Sequence, residues 1–220
     1  VHPDTPPTPP SRQDLQHPRF ARQYLKIAVA ADRRGGAAHR RRLLEGLSGR
    51  VLEVGAGQGR NFPHCPEAVT ALVALEPEDS LRAAARQSAG AAPVPVTVVA
   101  GQAGGLPVGT GTVDAVVFSL VLCSITDPGA ALAEAARVLR PGGQLRFYEH
   151  VRSRNRLGAL LQSAVAPLWR RVGGGCHPDR DTEALVRSAG FTVQRLDRFG
   201  FSPTPVTPPL PHVIGTATAP

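Results

Sequence analysis

Three glycines at two-residue spacing, Gly55, Gly57 and Gly59 in VLEVGAGQGR (51–60), follow directly on a short apolar run. Glycine there lets the chain turn tightly and brings backbone N–H groups close to a bound molecule. Two carboxylates flank the loop: Glu53 just before it, and Glu76 at the end of the next apolar run, TALVALE. A carboxylate at such a strand end can accept both hydroxyls of a ribose. A merely solvated acid would leave the upstream glycines unexplained. Position 60 is Arg60, so the spacing is not the GxGxxG of nicotinamide-binding loops.

A second stretch, RVGGGCHPDRDT (171–182), carries Cys176, His177 and Arg180 behind three consecutive glycines. It reads equally as a plain loop, a metal-binding fragment or the floor of a pocket. No further ligand stands at metal-site spacing from Cys176 and His177, so no metal is expected. The three cysteines, Cys65, Cys123 and Cys176, form no CxxC pair and are odd in number. That pattern argues against a disulfide framework and for a reducing, cytoplasmic compartment.

The elements that position these residues follow from periodicity. Residues 1–18 are Pro-rich and nearly free of apolar side chains, and are expected to be disordered; the folded domain is expected over 19–220. Helical patterning runs through FARQYLKIAVAADRR, breaks at Gly35-Gly36 and resumes in AAHRRRLLEGL. Strands follow at RVLEV, TALVALE, PVTVVAG, VDAVVFSL, QLRFYEH, TVQRLD and PHVIGTATA. Between them lie helices at EDSLRAAARQSAG, TDPGAALAEAARVLRPGG and DTEALVRSAGF, with an acid or threonine to cap each start. Strands alternating with helices imply an α/β fold, a Rossmann-like, doubly wound, mostly parallel seven-stranded sheet with helices on both faces. Ligands of such sheets bind beyond the carboxyl ends of the strands, where the strand order reverses.

Composition narrows the partners. The formal net charge is +8, and Lys26 is the only lysine among 25 basic residues. Arginine suits phosphate and carboxylate recognition, but the Ala-, Arg-, Gly- and Pro-heavy usage is that of a GC-rich, bacterial genome. The basic residues are scattered, and 5% aromatic residues leave little for base stacking, so nucleic acid is not an expected partner. The densest basic run, HRRRLL (39–44), reads as a solvated helix face. No stretch approaches the roughly twenty apolar residues that span a bilayer. The first residues lack an apolar core, so neither signal peptide nor stable membrane anchor is expected.

Taken in order, ExGxGxG, the Glu76-Pro77 strand end, GQAGGLP, VDAVVFSLVLCSI and ARVLRPGG resemble the class I S-adenosylmethionine-dependent methyltransferases. The resemblance covers about residue 20 onward. It implies that the loop of Glu53, Gly55, Ala56, Gly57 and Gly59 holds the methionine and ribose part of S-adenosylmethionine. It further implies that Glu76 and Pro77 meet the ribose, Gly101-Gln102-Ala103 the adenine, and Ser119-Leu120 the sulfonium. Gln102 stands where the family usually has an acid. A glutamine carbonyl accepts the same hydrogen bond from the adenine amino group.

The place that carries an (Asp/Asn/Ser)-Pro-Pro-aromatic box in nucleic-acid amino methyltransferases reads SLVLCSIT here. The second half instead resembles the thiol methyltransferases of the methyltransferase-like-seven group, in LVLCSITDPGAAL, FYEHVRS, APLWRR, GGGCHPDRDT and PHVIGTATA. That resemblance implies S-methylation of a small thiol and a turn at Ala166-Pro167-Leu168-Trp169. The group's mammalian members carry an N-terminal membrane anchor that this sequence does not show. An ordinary thiol is only a few per cent thiolate at neutral pH, and full availability costs about 2 kcal/mol. His150, His177 and the fixed charge of Arg180 are the candidates to supply it, with Cys123, Trp169, Cys176 and Phe199 lining the acceptor. Each histidine reads equally as a hydrogen-bonded structural residue. The alternatives are a C-, O- or N-methyltransferase acting on a quinone, phospholipid amine or natural product, or a protein that binds cofactor or nucleic acid without catalysis.

Overall fold

The computed structural model describes residues 13–205 and 207–220. Seven strands form one sheet in the order β3-β2-β1-β4-β5-β7-β6. They are β1 Gly49–Val54, β2 Val69–Leu75, β3 Val96–Val99, β4 Val113–Ser119, β5 Leu139–His150, β6 Thr192–Phe201 and β7 Leu210–Thr218. The first five pair in parallel, and β7 runs antiparallel to both β5 and β6. The order reverses between β1 and β4, which places the switch point beyond Val54 and Ser119.

Both faces of the sheet are covered, and strand alternation shows it. Leu52, Val54, Val116, Phe118, Leu145 and Phe147 join one buried cluster with side chains of α4 (Pro128–Val138) and α6 (Thr182–Ser188). Val51, Ala115, Val117 and Tyr148 point the other way, into a cluster with α2 (Ala37–Leu44) and α3 (Asp79–Ala89). Strands buried on both faces read as near-continuous apolar runs, as RVLEV and VDAVVFS do. Each fully buried leucine or phenylalanine contributes about 1.5–3 kcal/mol of transfer free energy.

Helix starts follow capping chemistry. Asp127 accepts the Ala130 N–H at 2.9 Å with Pro128 in the first turn of α4, and Asp181 accepts the Ala184 N–H at 3.1 Å to start α6. The break at Gly35-Gly36 is present: α1 (Pro18–Ala31) passes through a wide turn at Asp32–Gly36 into α2, with Gly35 at φ 120°.

Three expectations change. Residues 166–169 do not turn; they lie inside α5 (Arg156–Val172), with Pro167 within the helix. Asn155 caps that helix by accepting the Leu157 and Gly158 N–H groups, and Ala159, Gln162 and Ala166 form its buried stripe. Its outer face exposes Leu157, Leu160, Leu161, Val165, Leu168 and Val172. In the Pro-rich segment, residues 1–12 lie outside the described residues, but Gln13–Leu15 form a 3-10 turn. Gln16 then ties this turn down, donating from Nε2 to the Pro77 carbonyl at 2.9 Å and accepting the Asp79 N–H at 3.0 Å. Finally, HRRRLL is not solvated throughout: Arg41 and Arg42 are exposed, whereas Arg40 is buried. No helix among the described residues is long and apolar enough to cross a membrane.

Candidate functional site

Beyond β1 the chain turns through Gly55, Gly57 and Gly59 at φ 71°, 58° and 77°. These are left-handed values that favour glycine. At Gly57 a side chain would also meet the Tyr24 ring of α1, 3.1 Å from where its Cβ would stand. The Gly57 N–H donates to Glu76 Oε2 at 2.7 Å, and the Glu78 N–H donates to Glu76 Oε1 at 3.0 Å. Burial pushes the Glu76 carboxyl up to about 6, against the pull of those two amides.

Glu53 sits beneath the same loop, where burial pushes its pKa up to about 7. It accepts from Asn61 Nδ2 at 2.7 Å, and Asn61 Oδ1 accepts from Arg40 Nη1 at 3.0 Å. Arg40 Nε donates to Asp32 at 3.0 Å, Arg60 donates to the same carboxylate at 2.6 Å, and Arg40 Nη1 lies 3.5 Å from Ser119 Oγ. This buried network joins the α1–α2 bend, the glycine loop and the end of β4. Asp32, Arg40 and Asn61 were not among the sequence candidates. A signal for Arg40 was present: it lies four residues after the buried Gly36 and three and four before the buried Leu43 and Leu44, on one helical stripe.

Gly101, Gln102 and Ala103 follow β3. A Cβ on Gly101 would stand 2.8 Å from Leu75 Cδ2, Gln102 bridges to Gly105, and Ala103 packs on the core. The Pro77 carbonyl accepts from Arg82 Nη1 as well as from Gln16, each at 2.9 Å. A glycine loop with a buried carboxylate held at its edge, opposite the β3 loop, is a donor and acceptor set that fits a nucleoside bearing a short charged chain.

Past the β4 end a cavity of about 340 Å³ opens, bordered by Tyr24, Leu120, Tyr148, His150, Trp169 and Cys176 among others. Leu120 has φ 62°, the one positive value at a non-glycine residue among those described, and its N–H donates to the Tyr148 carbonyl at 2.6 Å. Such a backbone costs about 1–2 kcal/mol and is held by its surroundings. Ile27 and Val172 border the cavity while partly facing outward, so its wall continues into the apolar face of α5. Phe199 is not part of the lining; it packs against His39 and Tyr148, and Phe201 borders the cavity in its place.

Behind the cavity three segments converge. Cys123 Sγ lies 3.6 Å from Cys176 Sγ and 3.5 Å from His150 Nδ1, and Cys176 Sγ lies 3.4 Å from the same nitrogen. The sequence spacing shows no metal-type ligand set, but the fold assembles one from residues distant in the chain. The hydrogen bond to Cys176, with burial, holds the Cys123 thiol up at about 12, while Cys176 is lowered by its contact with Cys123. Burial acts against the His150 imidazolium, yet Cys123 beside it carries the net shift upward. His212, its ring tilted against His150 with centroids 4.4 Å apart, is buried, which pushes it down to about 3.

Glu149, fully buried, accepts the N–H groups of Val121, Leu122 and Cys123, each at 3.0 Å. Arg180 Nη1 donates to the carbonyls of Leu122 at 2.5 Å and Ile125 at 2.8 Å, so it pins this loop. His177 does not border the cavity: its N–H donates to the Cys123 carbonyl at 2.6 Å and its ring meets Arg170. Burial and the neighbouring Arg180 and Arg170 lower its pKa. Of the three catalytic candidates, His150 alone reaches the cavity.

Residues 52–147 match the family model described as "Methyltransferase domain". The chain is 34% identical over 182 residues to thiol S-methyltransferase TMT1B of Homo sapiens, covering 79% of this chain and 73% of that protein. It is 40% identical over 109 residues to TMT1B of Rattus norvegicus, covering 48% of this chain and 43% of that protein, less than half of the rat relative's length. Among solved structures, an S-adenosylmethionine-dependent methyltransferase of Thermotoga maritima shares the fold at TM-score 0.69 and 22% identity, covering 92% of this chain and 97% of that one. The glycine loop, the strand-end carboxylate, the sheet order and this likeness along most of the chain agree, and the chain belongs to the class I S-adenosylmethionine-dependent methyltransferases, near the TMT1 proteins.

Proposed function

We propose that the protein transfers a methyl group from S-adenosylmethionine to the sulfur of a small apolar thiol. The observation that carries this reading is the apolar cavity of about 340 Å³ whose inner end is formed by Leu120, Tyr148, His150 and Cys176 at the switch point. Support comes from the relatives named thiol S-methyltransferase, matched over most of the chain. The methyltransferase domain is taken to run over 19–220. When bound, S-adenosylmethionine supplies an electrophilic methyl carbon on a sulfonium.

The chain's own part is binding, orientation and exclusion of water. Glu76 and the loop of Gly55, Ala56, Gly57 and Gly59 would hold the cofactor, with Glu53 supporting the loop from below through Asn61. Gly101, Gln102 and Ala103 would face its base, and Ser119 and Leu120 its sulfonium end. Trp169, Ile27 and Val172 would take the acceptor's alkyl chain. His150 would stand at the reacting end, while Arg180 and the His177 backbone hold the loop of Leu122 and Cys123 in place.

A homologous series of straight-chain thiols tests the reading, with S-adenosylhomocysteine formation as the readout. Each methylene buried is worth about 0.8 kcal/mol, so kcat/KM is expected to rise about fourfold per CH2 until the cavity is full. Trp169→Ala is expected to flatten that rise. A series with no turnover, or one without dependence on chain length, contradicts the assignment.

A further inference from the structure

We propose that Cys123, His150 and Cys176 form a binding site for a thiophilic divalent cation, zinc by the ligand set, with its fourth position facing the cavity. The donor atoms are 3.6, 3.5 and 3.4 Å apart. Zinc bonds of about 2.3 Å to sulfur and about 2.0 Å to nitrogen, at the tetrahedral angle, put two sulfurs about 3.8 Å apart and sulfur and nitrogen about 3.5 Å apart. The three atoms therefore already mark one face of a tetrahedron of the right size. Two thiolates and a neutral imidazole balance the charge of the cation, which suits a site that is almost fully buried. Cys65, the remaining cysteine, is buried elsewhere, in the cluster beneath β1 and β2.

The surroundings are those of a held site. Cys123 is fixed on both sides of its Cα, its N–H donating to Glu149 Oε2 at 3.0 Å and its carbonyl accepting the His177 N–H at 2.6 Å. Cys176 is fixed by its N–H donating to the Gly173 carbonyl at 3.2 Å, after the two left-handed glycines Gly174 and Gly175. Those glycines, followed by Cys176 and His177, thus bring one ligand up to two others, Cys123 in the loop after β4 and His150 at the end of β5. Second-layer contacts of this kind orient metal ligands and set their affinity.

His150 and Cys176 border the cavity, and a fourth ligand would enter from that side. Three protein ligands plus an exchangeable one is the arrangement of catalytic rather than structural zinc. A thiol acceptor that binds the cation loses its proton to solvent and is held as thiolate at the cavity's inner end. Its sulfur then forms the bond to the methyl carbon as the carbon–sulfonium bond breaks, with the electron pair returning to the sulfonium sulfur. The product is a neutral thioether, a weaker ligand than the thiolate. This catalytic role rests on the thiol reading; the cation site itself does not.

The test is a cobalt(II) titration of the full chain, reduced with a phosphine and freed of metal, without cofactor or acceptor. One equivalent per chain is expected to give the thiolate-to-cobalt charge-transfer band and the strong visible absorption of a four-coordinate ion, both abolished by zinc. Cys123→Ser and Cys176→Ser should each weaken cobalt binding at least tenfold, His150→Gln should shift the visible band, and Cys65→Ser should change neither. Circular dichroism and melting establish that each variant is folded. Absence of the bands in the wild-type chain overturns the site, and so does their loss in Cys65→Ser or their survival at unchanged affinity in both cluster variants. Adding an alkyl thiol to the cobalt protein should shift the visible band, and an unshifted band overturns the exchangeable fourth position. Turnover of thiols without any cobalt signal would leave the proposed function standing and remove the metal. A cobalt signal with no thiol turnover would do the reverse.

Discussion

Replacing Glu149 by glutamine isolates what holds the loop beyond β4. In the native chain its two oxygens serve three consecutive amides: Oε1 accepts from Val121 and Leu122, and Oε2 from Cys123, all at 3.0 Å. Glu149 has no exposed surface, so water cannot substitute. Glutamine offers one oxygen and one N–H2. With its oxygen toward Val121 and Leu122, its nitrogen faces the Cys123 N–H, donor against donor; flipped, it strands two amides instead of one. A buried N–H left without an acceptor costs about 1–3 kcal/mol; because burial holds the Glu149 carboxyl well above its ordinary range, no loss of charge is added to that cost. Glu149→Gln is therefore expected to cost roughly 1–3 kcal/mol, lowering Tm by about 2–12 °C at this chain length. Urea unfolding with an unchanged m-value and a lowered midpoint would show that the native state alone is affected. Because Leu120 precedes this loop and Cys123 lies within it, kcat/KM should fall as well. A Tm equal to or above that of the wild-type chain would refute the assignment of Glu149 as the acceptor that organises residues 121–123.

Three other substitutions follow from local geometry. Gly215→Ala would put a Cβ 2.1 Å from Phe147 Cζ in a fully buried part of the core, so a loss of about 1–3 kcal/mol or outright misfolding is expected in urea melts. Gly104→Ala, with nothing within 4 Å, should change stability by less than about 0.5 kcal/mol. Gly57→Ala meets both a left-handed backbone and the Tyr24 ring, and calorimetry is expected to show S-adenosylmethionine binding weakened roughly tenfold. Burial raises Glu53 from its ordinary 4.5 to about 7, so between those values the native state keeps a proton that the unfolded chain has lost. Its contribution is then most favourable below pH 4.5 and is lost as pH rises to 7. Glu53→Gln removes that slope: its stability relative to the wild-type chain should improve by about 2.5 kcal/mol between pH 5 and pH 8, and no change would contradict the buried acid.

Local chemistry made much of the fold legible. The sheet strands are runs buried on both faces, the glycine loop announces itself by spacing, and Asp127 and Asp181 cap helices where capping rules put them. What failed was local reasoning applied to residues whose role is set from a distance. The resemblance implied a turn at residues 166–169, yet the helix around Pro167 is secured by an Asn155 cap and a buried stripe. Cys123, His150 and Cys176 are 27, 26 and 53 positions apart in their pairings, so only the β4–β5 register and the loop after α5 bring them together. Arg40 was hidden by its exposed neighbours Arg41 and Arg42, although its helical phase places it with Leu43 and Leu44. Phe199 and Phe201 share one face of β6, and which of them reaches the cavity depends on where that strand ends.

The most direct measurement offers the protein S-adenosylmethionine with three acceptors of identical alkyl chain, ending in a thiol, an alcohol or an amine, and identifies the methylated product by mass. The expected result is the S-methyl thioether alone, formed mole for mole with S-adenosylhomocysteine. Methylation of the alcohol or the amine in its place, or cofactor binding with no thioether formed, would contradict thiol methyl transfer while leaving the fold and the cofactor site untouched.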